Sequence, residues 1–529
     1  MTPRGLEGTG GLLRLAARRD RVRLTVWVLA LTAVTYLSGS AMGTAFPTPA
    51  SIRAYADSAA ASPAVVAMAG PPIALDTLPG IVISKVSLTC IVGMVLLAEL
   101  TVVRHTRREE EDGRSELLRA TMVGRHAGSA AALALATGGS VLVGAGTAVA
   151  LLGATVPASA AWLFGAGITA LGGVVAAGTL VLAQLFTRAR TALGAALALL
   201  GAAYLIRAAG DVQGSRLVWL SPIGWSQATH PLGDERWWPL LVPLAASVAL
   251  VLLATMLEDH RDVGAGLVPS RPGAASASRT LSGPVGTAFR LQRGMLLAWT
   301  VGLFVLGVAT GSLADTVRDM ARGNPTLERY LSSTGQGSLT DTYLSTMLLV
   351  SALLSAGFAV SSTARLRSEE TSGRLELLLS TGLDRTRWLL GSLVVTVLGT
   401  LTVVLASGLG TGLAFGVVAS DASQPLRLAA LSLVYVPAVL ATAGLAVLLV
   451  GWRPEWMGLA WAALGGCFVI GWLGGLISPP RWLERLSPYW QTPAVPVDPV
   501  TLTAPLLITL AALLLVALGA LGLRHRDLR

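Results

Sequence analysis

Apolar runs of about twenty residues recur from one end of this chain to the other, as in "LPGIVISKVSLTCIVGMVLLAEL" at Leu78–Leu100. At about 1.5 Å of rise per residue, each such run crosses the roughly 30 Å hydrocarbon core of a bilayer as a helix. Backbone inside lipid must satisfy its own hydrogen bonds, which leaves helices or a closed barrel. The runs are continuous rather than alternating, so helices are expected. Twelve spans are read, at approximately 22–42, 79–103, 128–156, 160–186, 191–210, 239–258, 294–314, 341–364, 389–418, 426–450, 456–477 and 503–523. The expected fold class is an all-α polytopic membrane protein. Only 13% of residues are charged, against about 25% in soluble domains. Cys90 and Cys467 both lie inside apolar runs, so neither a disulfide framework nor a zinc spacing is present.

The net charge is +10, and its placement matters more than its size. With the N-terminus inside, the arginines concentrate in the loops of one side, as the positive-inside rule requires. Both termini are then cytosolic, in a multi-pass protein of the cell (plasma) membrane. The charge orients the chain in the lipid bilayer, and no nucleic-acid partner is implied. Arg18, Arg19, Arg21 and Arg23 before the apolar stretch 24–37 resemble the start of a signal peptide. A similar approach, "FRLQRGMLLAWTVGLFVLG" at Phe289–Gly307, occurs mid-chain, so cleavage is not expected. Both approaches mix Leu or Phe with Arg, which suits a short amphipathic helix lying in the inner interface; ordinary basic flanks fit equally well.

The chain repeats itself. "EEEDGRSELLRATMVGR" at Glu109–Arg125 has a near copy, "SEETSGRLELLLSTGLDR", at Ser368–Arg385. Leu220-Ser221-Pro222 returns as Leu486-Ser487-Pro488, and His260-Arg261-Asp262 as His525-Arg526-Asp527, in the same order and at nearly the same offset. The expected organisation is a first six-helix half over 1–260, a cytosolic linker leading into the second half over 261–293, and a second six-helix half over 294–529. Six is even, so the halves are expected to be parallel repeats. The linker is rich in Pro, Gly and Ser and reads as flexible. Loops 43–78, 211–238, 315–340 and 478–502 are expected outside. Trp219, Trp225, Trp237 and Trp238 cluster in one of them, and Trp482 and Trp490 in its counterpart, as in an interfacial aromatic belt.

Each charged cassette falls between the second and third spans of its half. Gly113 and Gly373 are expected to break the preceding helix, after which "RSELLRAT" and "RLELLLST" form about two turns. Glu116 and Glu376 sit near the start of that turn, where a carboxylate suits the helix dipole. Glu110 with Arg114, and Glu370 with Arg374, stand at i,i+4 and would lock the helix if it continued through the glycine. Leu117 and Leu118, and Leu377 and Leu378, give the short helix an apolar knob. Thr121 and Arg125, and Thr381 and Arg385, complete the repeated pattern. Membrane topology asks only for basic residues, not for paired glutamates in the same order twice. Partner docking is the expected role.

The pattern EExSGRxELLxxTxxxR, matched in the second cassette and in the first with Asp112 for the serine, resembles the coupling segment of ABC-2 type permeases, the membrane halves of ATP-binding cassette exporters. The 6+6 layout, "WLSPIGWSQ" and "HRDVGAG" are similar to those of the actinobacterial exporters of polyketide antibiotics. The resemblance covers essentially the whole chain. It implies an export cycle for a hydrophobic or amphipathic small molecule, antibiotic-like or lipid-like. A separate ATP-binding cassette subunit, in two copies, would dock on the cassettes and carry the ATP and Mg. The second half departs from the pattern: "LSPYW" lacks the glycine, and "PAVPVDP" replaces the double tryptophan.

The chain itself is expected to be a transport subunit without an ATPase site and without cofactors of its own. A phosphate-binding loop needs Gly-Lys-Ser/Thr, and the sole lysine, Lys85, stands in "GIVISKVS". The alternative is an ion-coupled secondary multidrug transporter with 6+6 helices, which needs ionisable groups deep in the membrane. Glu99, Arg207 and Lys85 lie near span ends and are expected to snorkel. Gly408, Gly412 and Gly416 form a small-residue stripe in the ninth span where another helix can approach.

Overall fold

The structure, a computed structural model, describes residues 3–119, 122–262, 264–268, 276, 281, 283–314, 339–477 and 481–526. Every regular element among them is helical, as an all-α polytopic membrane protein requires. The chain divides into two compact units, Met1–Gly273 and Ala274–Arg529.

The first unit contains α1 (Thr9–Ala45), α2 (Pro49–Ala61), α3 (Pro63–Ala69), α4 (Leu78–His105), α5 (Arg107–Glu111), α6 (Arg114–Arg119), α7 (Ala127–Gly153), α8 (Ala158–Leu185), α9 (Ala189–Gln213), α10 (Pro222–Gln227) and α11 (Leu241–Asp259). The second contains α12 (Pro284–Ser312), α13 (Leu339–Thr371), α14 (Arg374–Leu379), α15 (Arg385–Ala419), α16 (Gln424–Ser432), α17 (Val436–Trp452), α18 (Gly458–Ile477) and, after two short turns, α19 (Thr503–His525). Local chemistry sets the boundaries. Thr77 caps α4 by accepting from the Gly80 amide at 3.2 Å, with Pro79 in the first turn. Asp384 caps α15 through the Thr386 amide at 3.0 Å.

Eleven helices among the described residues are long and apolar enough to cross a membrane. The remaining expected span, 456–477, coincides with α18, twenty residues long. In the first unit α4 is the hub: the core of its span is 67% buried, and α1, α7, α8 and α9 pack on it. In the second, α13 is equally buried and receives α12, α15, α17 and α18. The outer pairings also correspond. In the first unit α1 packs along α7 and α8 along α11; in the second α12 packs along α15 and α17 along α19. Helices α1, α9 and α11 are mostly exposed, as a lipid-facing rim would be.

Three expectations change. The basic stretch before the first span is not a separate interfacial helix: α1 runs unbroken for 37 residues, about 55 Å. No breaker interrupts it, and Asp20, only 1% exposed, fastens its early turns to Arg104 and His105. Likewise α12 begins at Pro284 and carries "FRLQRG" within it. The tenth span is bent, since α16 passes through a 3-10 turn at Leu433–Tyr435 before α17, with Pro437 in the first turn of α17. The expected loop 315–340 lies outside the described residues up to 338, as do 269–275, 277–280 and 282 of the linker.

The glycine stripe of the ninth span is where α16 lies against α15. A Cβ on Gly412 would stand 2.6 Å from both the Gln424 carbonyl oxygen and the Pro425 Cα, which are backbone atoms that cannot rotate away. Gly412→Val is therefore expected to cost about 1–3 kcal/mol through overpacking, read as a lower melting temperature in detergent. Gly465→Val, where a Cβ meets nothing within 4 Å, should cost only its small helix-propensity difference.

Candidate functional site: the repeated cassettes and their anchors

Both cassettes turn on a glycine in the left-handed region, with φ of +71° at Gly113 and +70° at Gly373. An L side chain is strained there, so the glycines fix the sharp exit from the preceding helix. The turn also cancels the expected salt bridges. Once the helix breaks at Gly113, Glu110 and Arg114 no longer share a helical face. Arg114 instead reaches Glu109 at 3.5 Å and pairs with Asp112. In the second cassette Arg374 Nε donates to Ser372 Oγ at 2.9 Å rather than to Glu370.

The cassette glutamates have other partners. Glu110 accepts Arg261 in a fork, from NH2 to Oε1 at 2.6 Å and from NH1 to Oε2 at 3.0 Å. Arg107, with no exposed surface, adds a bond from NH1 to Glu110 Oε2 at 2.8 Å. Arg107 also donates to the carbonyls of Ala183, Gln184 and Ala265, and Arg261 Nε donates to Gln184 Oε1 at 2.6 Å. One cluster thus ties together the end of α4 with α5, the end of α8, and the segment after α11. In the second unit Glu370 Oε2 accepts from Arg526 NH2 at 2.7 Å.

The final arginine of each cassette repeats the same device. Arg125 NH2 donates to the carbonyls of Glu258 at 2.6 Å and Arg261 at 3.0 Å. Arg385 NH1 donates to those of Leu523 at 3.3 Å and Arg526 at 2.9 Å. Each cassette therefore grips the end of the last helix of its unit at two points. The arginine of the repeated His-Arg-Asp triplet is the missing partner. Sequence reading used that triplet only as a landmark; its recurrence alongside the cassette was the available signal.

The short helices remain presented outward. Leu117 is 74% and Leu377 71% exposed, and Glu116 and Glu376 are exposed as well. Leu375, 1% exposed, roots α14 in the unit. Leu378 is half-buried against a cavity of about 180 Å³ that Thr381 and Trp388 also line. Thr381 Oγ1 donates to the Leu378 carbonyl at 2.6 Å. The Leu118 side chain and Thr121 lie outside the described residues.

Two membrane residues expected to snorkel do not. Arg207 is 1% exposed, pairs with Asp211 at 3.1 Å, and donates to the Ala67 carbonyl at 2.7 Å, fastening α3 against α9. Glu99 is 2% exposed, and its Oε2 has no hydrogen-bond partner among the described residues. Lys85 is exposed, with its ammonium 4.8 Å from the Tyr55 ring centroid.

One family description, the C-terminal domain of the multidrug efflux system permease Rv1217c, matches the chain twice, over residues 10–257 and 281–524. The chain belongs to this efflux-permease family. It is also 39% identical over 533 residues to the multidrug efflux system permease protein Rv1217c of Mycobacterium tuberculosis (strain ATCC 25618 / H37Rv), an alignment covering 99% of this chain and 96% of that one. A multi-pass permease subunit of an exporter, rather than an enzyme, accords with these matches. They also make the rigid anchoring of the cassettes informative, since a permease needs fixed points at which its helices can be moved.

The Glu110–Arg261 clamp can be tested on the permease directly. Both side chains are nearly buried, at 10% and 4% exposed, so removing one strands the other. Arg261→Gln is expected to destabilise the first unit by about 3 kcal/mol. Glu110→Gln should cost a comparable amount, and the double variant clearly less than their sum. Thermal melts of the four proteins in detergent measure the cycle, and strict additivity would show that the clamp carries no coupling.

Proposed function

We propose that this permease is the membrane-spanning subunit of an ATP-driven, ABC-2 type exporter, and that its two cassettes receive the ATP-hydrolysing partner. The observation that carries the reading is the pairing of opposites in each cassette. An outward leucine tip stands on α6 and α14, while Glu110 and Glu370 bind the cassette to the end of the last helix of the same unit. A docking knob without such an anchor would move alone. With it, a push on α6 or α14 is delivered to the hub helix and the last helix together.

Two copies of a separate ATP-binding subunit, holding ATP and Mg, fit the two cassettes. The double match of one family description supports reading residues 1–260 and 294–529 as six-helix repeats joined by a linker. The arginine-rich loops support cytosolic termini, cytosolic cassettes and a parallel arrangement in the plasma membrane. The cargo class we infer is hydrophobic or amphipathic, as the relative's multidrug name and the resemblance to exporters of polyketide antibiotics suggest. Glu99 favours one rival, an ion-coupled secondary transporter, because it is a buried carboxylate inside a span. Its repeat counterpart is Ala359, and Arg207 and Asp211 neutralise each other. Export that survives collapse of the proton gradient while ATP is maintained supports ATP drive; export that stops would favour the rival.

Two experiments test the proposal. Leu117→Asp and Leu377→Asp place a charge on a side chain that is already mostly exposed, so membrane levels should stay normal. Capture of the ATP-binding subunit should weaken by about tenfold or more and export should fall with it; Glu116→Arg and Glu376→Arg should act alike. Full capture and full export in all four variants would remove the docking role. For orientation, Arg53→Cys and Ser276→Cys, both at exposed positions, are introduced into a Cys90→Ser, Cys467→Ser background. Position 53 should react with a membrane-impermeant maleimide in intact cells and position 276 should not; the opposite pattern would invert the topology.

A further inference from the structure

The first unit holds a cavity of about 370 Å³ whose lining is almost wholly apolar. It arises from the helix packing. Helices α9 and α11 both rest on α8 but make no substantial contact with each other, so a space stays open between them. Leu171 and Val175 of α8, Ala203 of α9 and Leu250 of α11 form its walls, and Trp225 lies among them. This volume suits a small organic molecule.

One lining residue breaks the apolar pattern. Glu99 of α4 stands on the cavity lining. It is 2% exposed, and its Oε2 is buried without any hydrogen-bond partner. Thr179, the other polar residue on the lining, spends its hydroxyl proton on the Val175 carbonyl at 2.8 Å. Elsewhere in this unit, buried carboxylates are paired: Asp20 with Arg104, Glu258 with His126, Asp211 with Arg207. Glu99 stands apart from a rule that the rest of the unit obeys. A buried ionised carboxylate without a counter-charge is unfavourable, and here no partner stands among the described residues while an apolar space adjoins the residue.

We infer that this cavity is a binding site for lipophilic monocations, molecules that combine an apolar body with one quaternary or protonated nitrogen or phosphorus centre, and that Glu99 is its charge-recognising residue. The apolar walls accept the body of the guest, and the guest supplies the positive charge that Glu99 lacks. In the second unit Ala359 stands at the position of Glu99 and is fully buried, so the site belongs to one unit only. The inference rests on the efflux reading only in taking the bound cation for cargo; the binding itself requires neither ATP nor a partner subunit.

The test uses the full chain, purified into lipid nanodiscs. Tritiated tetraphenylphosphonium is the cationic probe, its charge being independent of pH, and triphenylphosphine oxide is the neutral one. Saturable binding of the cation is expected, weakened by about tenfold or more in Glu99→Gln and largely retained in Glu99→Asp. The neutral probe should bind Glu99→Gln as it binds the original chain, which also shows that the cavity is intact. Ala203→Trp, which fills the cavity from α9, should weaken both probes. Absence of saturable cation binding, unchanged cation affinity in Glu99→Gln, or equal loss of both probes would overturn the assignment. Failure here with normal capture of the ATP-binding subunit would leave the export reading standing; cation binding without capture would leave this site standing and remove ATP coupling.

Discussion

In each unit, one glutamate at the foot of the hub helix accepts one arginine from just beyond the last helix. Glu110 with Arg261 and Glu370 with Arg526 close a chain of helices that is held along most of its length by nonpolar packing. Such packing is weakly directional in lipid, because tails and side chains attract a helix about equally. Polar contacts at the membrane surface therefore decide which helix ends stay together. The second clamp, from Arg125 or Arg385 to the final carbonyls of that same helix, uses groups every helix leaves unsatisfied at its C-terminus.

This arrangement explains why the cassette combines charge and grease. The glutamate faces inward and is nearly consumed by its partners; the first leucine of the pair faces outward and has none. A glycine with positive φ separates the two functions, since a continuous helix would rotate the knob onto a different face. In the proposed docking role the cassette is a lever with a fixed foot and an exposed tip. Its length of about two turns keeps the tip short, so force applied there is not lost in bending.

The spans were legible in the sequence because a twenty-residue apolar run has few folded alternatives. The close approach of α16 to the Gly408–Gly412–Gly416 stripe was legible for a similar reason, since small residues at helical spacing leave a groove. The salt bridges were not. Local spacing pointed Glu110 to Arg114, whereas the actual partner lies 151 residues away, and a rule about neighbours on one helix fails wherever the helix ends between them. Glu99 was misjudged for a related reason. Distance from a span end decides whether a side chain can snorkel only when the route to the interface is open, and Glu99, 2% exposed, is enclosed by the packing of its unit. Which helices close that route is a property of the packing of six spans, not of any one of them.

The two units share a pattern of helix pairing but not a chemistry. At the foot of α1 the first unit buries Asp20 against Arg104 and His105; at the foot of α12 the second buries Gln292, which accepts from Ser362. Glu258 binds His126 and Ser129, while Leu523 stands in its place. Glu99 is matched by Ala359. In each case the first unit carries the ionisable group and the second a neutral one. The clamps, by contrast, are kept in both. Buried ionisable groups are costly to maintain in or near a membrane, so a duplicated architecture has reason to retain them only where they act. Shared clamps with unshared charges are what a division of labour would leave behind: force received symmetrically at two cassettes, and a charged guest recognised on one side alone.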